Sequence, residues 1–284
     1  MRARFPILLA AFLWGAAFGN DRLSDWIDAT ILPPLAIETS VEVVDRKGDL
    51  LRAYTVADGR WRMAVDLGDV DKGFVAMLLG YEDKRFYQHG GVDGWAMARA
   101  LAQAAGNGRV ISGGSTLTMQ VARLLEESGT GAVAGKLRQM RVAWALERHL
   151  TKDQILQLYL HLAPYGGNVE GLRAASLAYF GKEPKRLTPA ESALLVAIPQ
   201  APESRRPDRQ VGNAAAARGR VLARAVADGV LNAEQAEAAL SERVPDKRKP
   251  FPQLAPHLTD RILAEKNGVA RHKLTLDRSL QIQL

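Results

Sequence analysis

The sequence predicts a mainly α protein that carries one short β-hairpin near its N-terminus. Three observations lead there. Beyond Asp69, apolar residues recur at helical spacing almost throughout. Helix-opening signals precede apolar runs at Thr151-Lys152-Asp153-Gln154 and at Thr188-Pro189-Ala190-Glu191, the latter with proline at the favoured first position. Only between Ser40 and Val65 does the pattern shorten to alternating stretches, Val41–Val44 and Leu51–Tyr54, with Asp45-Arg46-Lys47-Gly48-Asp49 between them as the turn.

Taken in order, Arg2 and Arg4 precede an uncharged apolar run from Phe5 to Phe18, which ends at Asn20-Asp21-Arg22. The run is short for a spanning helix and close to a signal-peptide core. Ala17-Phe18-Gly19 makes a poor cleavage site, which favours a retained signal anchor over residues 1–22 with the basic end cytoplasmic and the rest exported. A connector broken by Pro33-Pro34 and the hairpin fill residues 23–68. Phe74, Val75, Leu78 and Leu79 form one helix face that runs into Glu82. Trp95, Ala98, Leu101 and Ala102 form a second, closed by Gly106-Asn107-Gly108. Ala214 to Leu240 reads as a helical hairpin turning near Asp228-Gly229. Arg243 to Pro256 reads as a linker, and Lys273 to Gln281 as the start of a strand.

Composition narrows the chemistry. The 284 residues are 47% hydrophobic, enough for a packed core. Cysteine is absent, which excludes disulfides and thiolate metal sites. The few histidines show no ligand spacing. A formal charge of +7 suits anionic partners such as nucleic acid, acidic lipid or pyrophosphate. Nucleic acid ranks last, because the basic residues lie behind an export signal.

Two stretches can carry chemistry. Glu82, at the end of an apolar helix and beside Asp83, is a candidate general base, although an acidic pair at a helix end is usually just solvated. Phe86 and His89-Gly90-Gly91 follow, and His89 alone reads equally well as a turn residue. Gly113-Gly114-Ser115-Thr116 then opens a helix, offering hydroxyls and free backbone N–H groups to an anion. A plain helix cap would need no second glycine. Lys136, Arg138 and Arg141 lie along one basic helix, which with Arg123 can neutralise a diphosphate.

The joint occurrence of Glu82-Asp83-x-x-Phe86-x-x-His89-x-Gly91, Gly113-Gly114-Ser115-Thr116-Leu117-Thr118-x-Gln120, the basic helix, and Lys152-x-x-Ile155-Leu156-x-x-Tyr159-Leu160 resembles glycosyltransferase family 51, the peptidoglycan glycosyltransferases of class A penicillin-binding proteins. The likeness runs from about Val70 to Pro207. Met119, Gly135-Lys136-Leu137-Arg138-Gln139 and Ala163-Pro164-Tyr165-Gly166-Gly167 make it most similar to the 1C branch. The resemblance implies a lysozyme-like glycosyltransferase head with a smaller membrane-contacting jaw. It implies polymerisation of lipid II into glycan strands, with inversion and release of undecaprenyl diphosphate, and Glu82 as the base. Ser115, Thr116, Gln120, Arg123 and Lys136 would hold the donor, and Asp83, Phe86, His89, Gly114, Gln139 and Lys152 count with them as substrate-binding positions.

Three departures qualify this. Most members carry a second glutamate 57 positions after the first, where this chain has Gln139. That loss argues against a bound divalent metal, and the 1C branch shares it. Gly135-Lys136 replaces a common Arg-Lys, and Tyr159-Leu160-His161 replaces Tyr-Leu-Asn. The resemblance also divides the chain: residues 69–243 as the transferase, and 244–284 as a linker and the start of a missing transpeptidase domain. The expected setting is the inner membrane, with the catalytic domain periplasmic. The partners would be lipid II, the growing glycan strand, the membrane and a transpeptidase. A hydrolase on the same scaffold and a non-catalytic module binding lipid II or a partner are the competing readings. The hydrolase would want a protonated acid and no anion site.

Overall fold

A computed structural model describes residues 4–107, 114–127, 133–265 and 268–283. In chain order the elements are α1 (Arg4–Asp28), β1 (Glu42–Val44), β2 (Leu50–Ala53), β3 (Trp61–Arg62), α2 (Lys72–Glu82), α3 (Gly94–Asn107), α4 (Leu117–Leu125), α5 (Val133–His149), α6 (Lys152–Leu162), β4 (Val169–Glu170), α7 (Leu172–Phe180), α8 (Pro189–Ala197), α9 (Pro202–Arg205), α10 (Val211–Ala227), α11 (Ala233–Ser241), α12 (Pro256–Glu265), β5 (Arg271–Lys273) and α13 (Arg278–Gln283). The mainly α class and the early hairpin are as expected. The chain forms two compact units, Met1–Leu35 with Gln88–Lys152, and Ala36–Tyr87 with Asp153–Leu284.

In the larger unit β1 pairs antiparallel with β2 and parallel with β5, while β3 pairs parallel with β4. The core lies around α8, whose residues from Ala190 to Ala197 are buried except half-buried Glu191, and against which α2 and α10 pack. The Thr188 capping box is present, with Thr188 Oγ1 accepting from Glu191 N and Glu191 Oε2 accepting from Thr188 N at 2.8 Å. Phe74, Met77 and Leu78 are the buried face of α2.

In the smaller unit α4 packs along α5, and the end of α1 lies on α5. Arg141 Nε donates to Trp26 O at 2.9 Å and its guanidinium covers the Trp26 ring at 4.6 Å. Arg148 donates to Ser24 and pairs with Asp28. These contacts, with Leu23, Trp26 and Ile27, extend the first helix to Asp28, past the point where the connector was expected to begin. Among the described residues no helix is long and apolar enough to cross a membrane; residues 1–3 of the expected anchor lie outside the described residues.

The α3 residues Trp95, Ala98 and Ala102 are exposed, Trp95 to 68%, and Ala100 is buried; the Leu101 side chain of the expected face lies outside the described residues. Two further expectations are corrected. The stretch after Arg243 is strapped to the larger unit: Lys249 N donates to Ala178 O, Leu254 N to Leu51 O, and Phe251 stacks on Trp61 at 4.4 Å. The last strand is Arg271–Lys273 and the chain then turns helical at Arg278, because Asp277 accepts from Ser279 N and takes Arg46 as an ion partner.

Candidate active site

The sequence-predicted residues divide between the two units. Glu82, Asp83 and Phe86 belong to the larger. Its α2 opens on Asp71, whose carboxylate accepts from Gly73 N and Phe74 N, and closes on Asp83, whose backbone N–H bonds to Leu79 O. Glu82 is therefore the last helical residue, half-buried, and its Oε1 accepts from Gln200 Nε2 at 2.8 Å. Asp83 and Phe86 are 7% and 1% exposed. Asp83 O accepts from Phe86 N at 3.0 Å, and the Phe86 ring meets Tyr87 edge-on at 5.1 Å. Tyr87 Oη in turn donates to Asp153 Oδ1 at 2.9 Å at the start of α6. Lys84 pairs with Asp228, which also takes Arg224, so the segment after Glu82 is held on α10. Gln200 escaped sequence reading because it belongs to no motif; its only mark was the proline before it.

His89, Gly114, Ser115, Thr116, Gln120, Arg123, Lys136, Gln139 and Lys152 belong to the smaller unit; Gly113 lies outside the described residues. Thr116 caps α4, its Oγ1 accepting from Met119 N at 3.1 Å and donating to Gly91 O at 2.5 Å. Gly91 has φ +91°, and a Cβ there would lie 2.8 Å from Ala143 O, so the His-Gly-Gly loop can lie on α5 only with glycine. Gly114 faces Met97, whose Cγ would be 3.2 Å from an added Cβ. Close packing accounts for this glycine.

Lys136 Nζ donates to Ser115 Oγ and lies 3.5 Å from Gln139 Oε1. Burial, and then the charge of Arg123, hold the Lys136 ammonium below its usual pKa. The Lys136 ammonium, a hydroxyl and a carboxamide thus gather beside the N-terminus of α4, whose macrodipole favours an anion, while Arg123 lies in the last turn of the same helix and its charge reaches Lys136. The other basic residues of α5 are committed elsewhere: Arg138 pairs with Glu126, and Arg141 and Arg148 hold α1. Lys152 pairs with Glu147 at 2.7 Å, and Thr118 Oγ1 donates to the same carboxylate oxygen at 2.7 Å. Asp93 caps α3 through Ala96 N.

A divalent ion does not fit the position of the missing glutamate. Gln139 is a buried amide with an ammonium beside it, which would repel a second cation. Among the described residues no group of three or more His, Asp or Glu side chains could hold a metal. His161, the other departure, has Nε2 within 3.2 Å of Val65 N and 3.1 Å of Val65 O, and burial holds its pKa down. It fastens the loop ahead of α2.

The sequence profile of the family described as Transglycosylase matches residues 47–226. The chain belongs to the transglycosylase family. This transglycosylase is 43% identical over 282 residues to penicillin-binding protein 1C of Escherichia coli (strain K12), covering 99% of the chain and 35% of that protein. To penicillin-binding protein 1F of Bacillus subtilis (strain 168) it is 35% identical over 173 residues, 61% of the chain and 24% of the relative. The chain thus spans about a third or less of the length of these relatives. The crystal structure of penicillin-binding protein 1A from Haemophilus influenzae aligns with 83% of the chain and 24% of its own, at 19% identity and a TM-score of 0.42. The expected likeness to the 1C branch is borne out.

Proposed function

We propose that this transglycosylase is a peptidoglycan glycosyltransferase that polymerises lipid II into glycan strands. The observation that carries the reading is the cluster of Ser115, Lys136 and Gln139 beside the capped start of α4, with the charge of Arg123 acting on Lys136 from the last turn of that helix, a set of cations and neutral donors suited to a diphosphate. Family membership supplies the glycan and peptidoglycan context.

In this reading Glu82 accepts the proton of the acceptor sugar's 4-hydroxyl. The freed oxygen forms a bond to the donor's anomeric carbon from the face opposite the leaving group. The bond from that carbon to the phosphate oxygen breaks, and its electron pair leaves with undecaprenyl diphosphate, so the configuration inverts. Lys136 and Arg123 offset the charge that develops on the leaving group, and Ser115, Thr116 and Gln120 orient the donor. Asp83, Phe86, Gly114, His89 and Lys152 act by holding these groups in place. The setting we assign is the inner-membrane surface, with an N-terminal anchor and the catalytic part periplasmic. The smaller unit supports it by exposing Trp14, Phe18, Trp26, Ile31, Trp95, Val133 and Leu137.

The test is polymerisation of purified lipid II by the full chain in detergent, beside Glu82→Gln. Glycan strands from the parent alone support the transferase and the base. Lipid II bound by both, with product from neither, replaces it by a binding module.

A further inference from the structure

We propose that Gln200 is a positioning residue for Glu82 and that Arg205 acts through it. The inference rests on the reading of Glu82 as the base. Gln200 closes the short turn Ile198–Gln200 between α8 and α9, where Pro199 interrupts the helix. Its Nε2 donates to Glu82 Oε1 at 2.8 Å.

Which end of a carboxamide faces a carboxylate is decided by the group at its other end. Here that group is Arg205, whose Nη1 lies 2.9 Å from Gln200 Oε1. A guanidinium can only donate, so the amide oxygen must face Arg205 and the NH2 must face Glu82. The same Nη1 donates to Ala197 O at 2.8 Å, which fixes the guanidinium on the last residue of α8. A relay therefore runs from the end of the buried helix α8, through Arg205 and Gln200, to the carboxylate. All four residues lie in one unit.

Two effects follow. A donor on one carboxylate oxygen favours the ionised form, which is the form a base needs. It also confines the side chain to one orientation, and positioning of catalytic groups is worth orders of magnitude in rate. Glutamate at 200 has the same shape but would oppose Glu82 with a second negative charge.

The test is steady-state polymerisation of lipid II by the full chain with Gln200→Ala, Gln200→Glu, Arg205→Ala, the Gln200→Ala/Arg205→Ala pair, and Glu82→Gln as reference. Gln200→Ala is expected to lower kcat about tenfold to a hundredfold and to move KM by less than about twofold. Gln200→Glu should fall further. The pair should be no slower than Gln200→Ala alone, because Arg205 acts through the amide. Parental kcat in Gln200→Ala, a loss confined to KM, or additive losses in the pair would overturn the inference. Thermal unfolding accompanies each variant. If Gln200→Ala is unstable, the isosteric Gln200→Glu decides, and parental kcat there overturns it. A dead Glu82→Gln with a parental Gln200→Ala sinks only the positioning role. An active Glu82→Gln sinks the base reading itself and the inference with it.

Discussion

Lys136 of α5 lays its ammonium on the hydroxyl of Ser115, ahead of α4, and reaches the carboxamide of Gln139 one turn along its own helix. The contact joins the start of one helix to the body of the next. It also separates Lys136 from the other basic residues of α5, which serve as struts.

Lys136 should make pyrophosphate binding sensitive to alkali. Its pKa is held down by burial and by Arg123, so it loses its proton at a lower pH than an exposed lysine, which titrates at about 10.4. Calorimetric affinity for inorganic pyrophosphate should weaken early as the pH rises. Lys136→Arg should stay flat through that range, and Lys136→Gln should bind about tenfold more weakly at neutral pH. A parent that ignores pH there would contradict the assignment.

Gly91→Ala should be costly beyond the loss of a flexible residue. The backbone is at φ +91°, and the new Cβ would press on Ala143 O. A destabilisation of about 2 kcal/mol or more is expected in urea unfolding. Pyrophosphate affinity should fall too, because Gly91 O accepts the hydroxyl of the α4 cap.

Arg173 carries a buried ion network. It pairs with Glu42 and forks onto Glu183, and burial lifts the Glu42 carboxyl above its usual pKa against the pull of Arg173. Arg173→Ala should cost about 3–5 kcal/mol at neutral pH by stranding Glu42. With a raised pKa the folded state takes up a proton more readily than the unfolded chain, so the deficit should shrink on acidification. Adding Glu42→Gln should recover part of it. Thermal unfolding across pH measures both.

Asp228 gives the opposite dependence. Burial works against its charge, but Lys84 and Arg224 outweigh that and hold its carboxyl below the usual range. A lowered pKa contributes stability above the ordinary carboxylate value and loses it as the pH falls through the folded one. Both partners are more than half exposed, which limits the effect of Asp228→Asn to about 1 kcal/mol. Urea titrations at neutral pH and well below pH ~4 should show the difference disappear.

Local chemistry was legible in the sequence. The hairpin, the Asp228 turn and the Thr188 cap depend on neighbouring residues, and all three form as read. So does the helix entry at Thr116 with Lys136 near it. What depends on distant partners was not. Trp95 and Ala98 have helical spacing, but spacing cannot say which way a face turns. Nothing near Gln200 announces a carboxylate 118 positions earlier. Arg141 and Lys136 look alike in sequence, and only the presence of Trp26 separates them. The segment after Arg243 has a linker's composition, yet the hairpin gives it backbone partners.

The parallel pairing of β1 with β5 sets an order of events. Val43 lies opposite His272, so β1 cannot be flanked on both sides until the chain has been made and delivered as far as β5. Until then β2 covers one edge and the other stays open, an invitation to any stray strand. The helices in between can form from local contacts, but this sheet must wait for a long loop to close. Newborn chains are most vulnerable to aggregation in that interval, and a chaperone that shields the β1 edge would help most there.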